Sequence, residues 1–311
     1  MRVLLAGATG VLGRRLVRSL ADAGHEAIGL TRDERGDGIV RDLGGTPIRA
    51  DLFQADEIIA QIDSTDAVIH AATAIPTKQR PSKKDWGIND RIRIEGIESM
   101  IEVARRTGAK QLIFQSVVWV ARPDDESPFD ENDPANPDDV TESAATAERM
   151  TMTAGLEYGF VPTVLRGGWF YGPDAWHTKS FGQGLKKRMM PIVGDGTAQW
   201  SILHADDAAS AYISALEKRP EGIFHVVDDE PVQVGHFLQH FAECLGAKPP
   251  IHVPVWLAKL AAGSYAADFT TTSMITSADR FKTATDWAPR YASYREGLNQ
   301  VVSIWESEGA T

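Results

Sequence analysis

The sequence predicts an α/β fold built on a doubly wound parallel sheet. Short runs of Val, Ile, Leu and Ala recur through the first 120 residues, with segments of helical periodicity between them. A glycine-rich stretch, GATGVLG at residues 7–13, joins the first apolar run to the first helical segment. Continuous apolar runs suit strands buried on both faces, and alternation with helices makes such strands parallel. The chain has 311 residues, of which 43% are hydrophobic and 24% charged, enough for about two domains of ordinary size.

The elements follow in order. Residues 3–6 read as the first strand. Residues 14–23, with Leu16, Val17 and Leu20 at helical spacing, read as the first helix. Strands are expected at 27–30, 47–50, 67–70 and 111–118. A long helix is expected over 85–107, ended by Gly108 just past its last turn. The stretch 122–139 is rich in proline and acidic residues and reads as a solvated loop. A helix over 139–158 and a strand at 161–165 come next. Residues 228–231 form a turn, and 236–245 an amphipathic helix stopped by Gly246. Pro249 and Pro250 then open a less regular C-terminal third.

Charge and composition narrow the function. The net charge of −11 argues against a nucleic acid or an anionic membrane as partner, since both require basic patches. No stretch approaches 18 uncharged apolar residues, so no membrane span is expected. The N-terminal segment lacks the apolar core of a signal peptide, and the lone Cys244 fits a reducing, cytoplasmic setting. His236 and His240 share a helix face, but no third ligand accompanies them, and no metal is expected.

The glycine loop is the strongest local signal. Gly7, Thr9, Gly10, Val11, Leu12 and Gly13 lie between strand and helix, where a tight turn brings backbone close to a pyrophosphate. The free N–H groups and positive end of the helix then face the phosphates. The second strand ends in Thr31-Arg32, where a carboxylate would bind a ribose 2′-hydroxyl. A guanidinium pairs instead with a 2′-phosphate, so NADP(H) is expected, with NAD(H) as the alternative if Asp33 takes the ribose.

With these residues in place, the chain resembles the extended short-chain dehydrogenase/reductase superfamily and its NAD(P)-dependent epimerase/dehydratase group. The loop resembles that group's GxxGxxG. Asp51-Leu52 resembles the pair at the adenine ring, and Val68-Ile69-His70-Ala71-Ala72, continuing to Thr73, the strand beneath the cofactor. Phe114-Gln115-Ser116 resembles the strand carrying the active-site serine. Residues 165–173, LRGGWFYGP, resemble the LR…YGP segment with Gly167 and Gly168 near the cofactor; His204-Ala205-Asp206-Asp207 resembles the HVDD turn. Leu245-Gly246 and residues 286–289, DWAP, resemble late family signatures. The resemblance implies a Rossmann domain (1–166 and 201–227, closed by a late strand at 222–227) and a smaller C-terminal substrate-binding domain (167–200 and 228–311). It implies a small-molecule substrate in the cleft between them. It also implies a homodimer through the 85–107 helix and the helix carrying Val140–Ala147.

The family's Tyr-x-x-x-Lys pair is missing. Counting back from Glu148 puts Val140 at the tyrosine position and Ala144 at the lysine position. No tyrosine anywhere in the chain has lysine four residues on. Arg93 stands where an asparagine usually precedes the helical glycine, here Gly96. Neither valine nor alanine transfers a proton, so three readings stay open: an atypical oxidoreductase, a dinucleotide-binding sensor, and a non-redox enzyme. The first leads because the cleft residues are kept. Its candidate catalytic residues are Ser116, to orient a carbonyl, with His177 or Tyr171 as replacement acid. Trp119, Trp169, Phe170, Trp176 and His204 are expected to line the substrate pocket. A packing role stands beside each of these readings, and His70 and Cys244 read as packed residues.

Overall fold

The computed structural model describes residues 1–78 and 81–309. The chain runs β1 (Arg2–Ala6), α1 (Val11–Asp22), β2 (Glu26–Thr31), α2 (Glu34–Asp42), β3 (Thr46–Arg49), α3 (Ala55–Ile59), β4 (Ala67–His70), α4 (Lys83–Thr107) and β5 (Gln111–Val117). A 3-10 turn (Val118–Ala121) leads through the acidic loop to α5 (Glu142–Tyr158) and β6 (Val161–Gly167). Then come β7 (Trp169–Tyr171), α6 (Trp176–Lys186), β8 (Ile192–Val193), β9 (Gln199–Trp200), β10 (Ile202–His204), α7 (Ala205–Lys218) and β11 (Gly222–Val226). The remainder is β12 (Val232–Gln233), α8 (Val234–Cys244), β13 (His252–Val253), α9 (Val255–Ala262), α10 (Ser264–Thr271), α11 (Asp279–Thr285) and α12 (Tyr294–Ser307).

Among the described residues, seven strands form one parallel sheet in the order β11-β6-β5-β4-β1-β2-β3. This is the doubly wound, Rossmann-like arrangement that the sequence predicts. Side chains alternate across each strand. Val3 and Leu5 of β1 thus join Ile69, Ile113, Leu16 and Leu216 on one face, while Leu4, Val68, Leu112, Phe114, Ile97 and Val103 fill the other. The sheet is buried on both faces, which is why its strands read as unbroken apolar runs. A third apolar cluster lies outside it, built from Trp169, Tyr171, Trp200, Phe237, Phe241, Leu298 and Trp305. It belongs to the segments that leave the sheet after β6 and after β11.

Several expected boundaries move. The first helix begins at Val11 rather than 14, because the glycine loop passes directly into the first turn. The helix expected from 139 begins at Glu142, since Asp138 first closes a turn by accepting from the backbone of Val140 and Thr141. The C-terminal third is helical, not irregular. Pro249 and Pro250 precede its helices, and Gly263 (φ 93°) separates α9 from α10. Residues 204–207 do not form a free turn: His204 caps the N-terminus of α7, its side chain accepting from Asp206 N.

Candidate active site

The order of strands reverses between β1 and β4, so the crevice for a ligand opens at the carboxyl ends of those two strands. The glycine loop sits there. A Cβ on Gly7 (φ 91°) would lie 2.7 Å from the backbone of Ala71 and Ala72, just beyond β4. One on Gly13 would lie 1.9 Å from Gly7 O, so α1 can seat on the loop only without that side chain. The N-terminus of α1 has no side-chain cap and no acidic residue in its first turn. Its opening N–H groups have no partner within the helix, and the positive dipole end is left for an anion. This cradle fits the diphosphate of a dinucleotide. Arg14 holds the loop from behind, its Nη1 donating to Thr9 O at 3.0 Å while its other nitrogen pairs with Asp174.

At the end of β2, Thr31 is buried, with its hydroxyl between Ile48 O and Asp37. Arg32 is exposed. Asp33 caps α2, its Oδ1 accepting from Gly36 N at 2.8 Å. That bond turns one oxygen of the exposed carboxylate onto the start of α2. Leu52 packs under β4 beside Gly96, while Asp51 is exposed and caps its own turn through Phe53 N at 3.0 Å. Past β4, Ala72 is half-buried and Thr73 exposed, and Asn89 of α4 fastens this loop by accepting from Ala74 N at 2.9 Å. His70 is wholly buried; burial holds it neutral, with a pKa near 4.

The candidate proton donors are not gathered at one point. Ser116 is buried and donates its hydroxyl proton to Glu148. Glu148 in turn receives Arg166, through Nε at 2.9 Å and Nη2 at 2.7 Å, in a buried bidentate pair. Arg166 continues to His225, whose pKa burial and the guanidinium press down to about 3. Ser116 is thus one end of a closed polar network between β5, α5, β6 and β11. Tyr171 is fully buried, and its hydroxyl lies 3.3 Å from Asp228. Burial first, and then the acidic neighbour, raises the phenol's pKa far above its usual value. His177 meets the Phe170 carbonyl through Nε2, its ring against Trp169, and burial lowers its pKa.

Val140 lies in the turn before α5, where its carbonyl accepts from Arg93 Nη1 at 2.8 Å. Arg93 also donates to Ser143 Oγ, which is bonded to Asp90. Ala144 is buried with Ala145 and Val120, and Val117 at the end of β5 packs on them. Trp119 is half-buried and stacks on Phe269 of α10, ring centres 5.9 Å apart. Trp169 is a core residue, Phe170 is half-buried, and Trp176 is 53% exposed. His204 is buried between Tyr171 and Tyr291; burial lowers its pKa to about 4. Gly167 and Gly168 are taken up by close packing against Phe170 and Ser201.

The reading of residues alone missed two features, the Ser116–Glu148–Arg166 network and the capping role of Asp33. The first had a signal: Ser116 stands two and four residues from Phe114 and Leu112, on the face of β5 that points into the core.

The family model for the NAD dependent epimerase/dehydratase family matches residues 3–227. A curated relative from Streptomyces, the 3-diazoavenalumate denitrifying reductase, is 32% identical over 96% of this chain and 100% of its own length. Among solved structures, a UDP-glucose 4-epimerase from Thermus thermophilus in complex with NAD superposes with a TM-score of 0.79 at 22% identity, over 98% of this chain and 99% of the other. A human epimerase family protein with NADPH gives 0.80 at 20%, over 97% and 99%. The cradle at the β1/β4 crevice and the family match over most of the chain agree: this chain belongs to the NAD-dependent epimerase/dehydratase family, an NAD(P)-dependent, oxidoreductase-type group within the extended short-chain dehydrogenase/reductases.

Proposed function

We propose that the protein is an NADP(H)-dependent oxidoreductase for a small organic metabolite, working without the family's Tyr-x-x-x-Lys pair. The observation that carries the cofactor reading is the division of labour after β2. Asp33 is occupied as a helix cap while Arg32 stays exposed beside the loop. A 2′-phosphate there meets the Arg32 guanidinium, while the Asp33 carboxylate is turned onto the N-terminus of α2, whose dipole offsets part of its charge. Gly7, Gly10 and Gly13 with the α1 N-terminus hold the diphosphate, and Ala71, Ala72 and Thr73 flank the crevice. When bound, the dinucleotide supplies or takes up a hydride. The chain's own part is to orient the substrate and exclude water, between the ends of β4 and β5 and the aromatic segments around Trp119 and Phe170.

The Streptomyces relative is named a reductase, and so is a 2-alkyl-3-oxoalkanoate reductase from Stenotrophomonas maltophilia at 24% identity. Both names support reduction as the direction. We place the dinucleotide domain at 1–166 plus 201–227 and the substrate domain at 167–200 plus 228–311. The third apolar cluster supports that division. Among the described residues, no helix is long and apolar enough to cross a membrane. We assign the protein to the cytoplasm, which suits its lone thiol, and to a homodimer through α4 and α5.

Calorimetry with NADPH and NADH tests the cofactor reading. NADPH binding tighter by about tenfold or more, ~1.4 kcal/mol, is expected, with Arg32→Ser erasing the difference. Tighter NADH binding overturns it. Loss of absorbance at 340 nm with added acceptor separates an oxidoreductase from a sensor, which binds the dinucleotide and leaves it unchanged.

A further inference from the structure

We propose that this site takes a hydride acceptor that needs no acid from the protein: a planar aromatic cation, with an arenediazonium or an aryl iminium as the chemical class. The inference rests on the oxidoreductase reading above and specifies its substrate.

The first support is the wall beside the end of β5. Val117, Val120, Ala144 and Ala145 pack together there as an apolar cluster, with Ala144 at the place where the family resemblance puts the catalytic lysine. A ketone receiving hydride develops an alkoxide. Beside alkyl groups that charge finds no donor, and loss of even one such donor costs about 10²–10³ in kcat. A cationic acceptor does the opposite: its charge disappears as hydride arrives, which a low-dielectric wall favours.

The second support is that the three candidate acids are engaged elsewhere. The Ser116 proton is held by Glu148, the Tyr171 hydroxyl faces Asp228, and His177 Nε2 faces the Phe170 carbonyl. The third is Trp119. It lies two residues beyond Val117, half-buried, with its ring stacked on Phe269. An indole face attracts a flat cation, and the chain's net charge of −11 has the sign to draw one in.

The chemistry balances without a proton. In an arenediazonium, the hydride's electron pair forms the new C–H bond, the C–N bond breaks, and N₂ leaves with the bonding pair. In an iminium, the pair forms the C–H bond and the C=N π pair becomes the nitrogen lone pair, which takes its proton from water only after the hydride step. Reduced nicotinamide dinucleotide is the reductant, and the positive charge of the acceptor passes to its oxidised form. A ketone, unlike a diazonium, takes up one proton for each dinucleotide oxidised.

Three acceptors distinguish the cases: benzenediazonium, an N-methyl-3,4-dihydroisoquinolinium and acetophenone. Each is followed with NADPH at 340 nm in weak buffer containing a pH indicator, with the uncatalysed rate subtracted. Turnover of at least one cation with kcat/KM about a hundredfold above the ketone is expected, with no proton uptake where benzenediazonium is the acceptor. Acetophenone reduced preferentially, with one proton per dinucleotide, overturns this proposal and leaves the oxidoreductase reading standing. Oxidation with none of the three, while calorimetry shows NADPH bound, overturns both. A binding measurement adds a readout independent of turnover. With NADP⁺ present, trimethylphenylammonium should bind about tenfold tighter than its uncharged isostere tert-butylbenzene, and Trp119→Leu should remove the difference. Equal binding of the two by the unaltered protein overturns the proposal.

Discussion

Ser116 and Glu148 show how one hydrogen bond decides what a residue is for. The Ser116 hydroxyl is spent on a carboxylate that is already paired with Arg166 in the interior. Ser116→Ala removes one of several partners of Glu148, so a loss of about 1–2 kcal/mol in stability is expected, read as a lower midpoint in urea. In the acid-free reading, kcat/KM stays within about threefold of the parent, well under 1 kcal/mol. A rate loss of a hundredfold with unchanged stability would return Ser116 to the chemistry. Glu148→Gln leaves the Arg166 guanidinium buried without a counter-charge, and a loss of roughly 3–5 kcal/mol follows. Asp33→Ala is a milder change at the surface, losing about 1 kcal/mol of cap energy from α2.

At the scale of elements, β1, its glycine loop and α1 act as one part. Gly13→Ala drives a methyl group into Gly7 O. Either α1 tilts away, with dinucleotide binding weakened by about a hundredfold or more in calorimetry, or the N-terminal unit loses several kcal/mol of stability. Binding and stability both unchanged would show that the loop does not hold the phosphates. This part was legible in the sequence because a glycine requirement and a strand–helix junction are both local. So were β4 and β5, whose burial on both faces leaves apolar runs, and α4, whose stop at Gly108 takes up φ 76°. What was not legible depends on contacts far apart in the chain. Nothing local to Ser116 says that Glu148, 32 residues later, will take its proton. The helices α9 to α11 have only seven or eight residues each, too few for periodicity alone to reveal them, and α12 packs Leu298, Val301 and Trp305 on a cluster assembled from β7, α6 and α8. The helix α7 was hidden for another reason: its N-cap is a histidine, a residue that seldom signals a helix start.

For the whole molecule, buried titratable groups set a pH dependence with two opposed components. His70, His204 and His225 are held neutral, with pKa values near 4, 4 and 3. The unfolded chain protonates them near 6.5, so it binds more protons as the pH falls below that value. Stability should therefore be level above 6.5 on their account and fall below it, each contributing up to about 1.4 kcal/mol per pH unit until its folded pKa is reached. Asp228 has the opposite sign. Burial, with Asp207 beside it, raises its pKa well above the usual carboxylate range, so the folded state keeps a proton that the unfolded state loses. Its effect is a stability that declines as the pH rises from about 4 towards the folded pKa. Asp228→Asn keeps an acceptor for His204 N and should raise the melting temperature at pH 7.5 more than at pH 5. An equal shift at both would show that the carboxyl does not titrate abnormally.

The detour between β6 and β11 has a consequence for the nascent chain. On the ribosome, β1 through β5 and the whole phosphate cradle emerge first, and β6 follows with one edge unpaired. Its partner begins only at Gly222, after the chain has built β7 to α7. During that interval the open edge is a template for a neighbouring polypeptide. Fusions or stalled fragments ending near residue 200 should then sediment as aggregates, whereas those extended past Val226 stay dispersed. A chaperone that shields extended backbone would find its client in that window of synthesis.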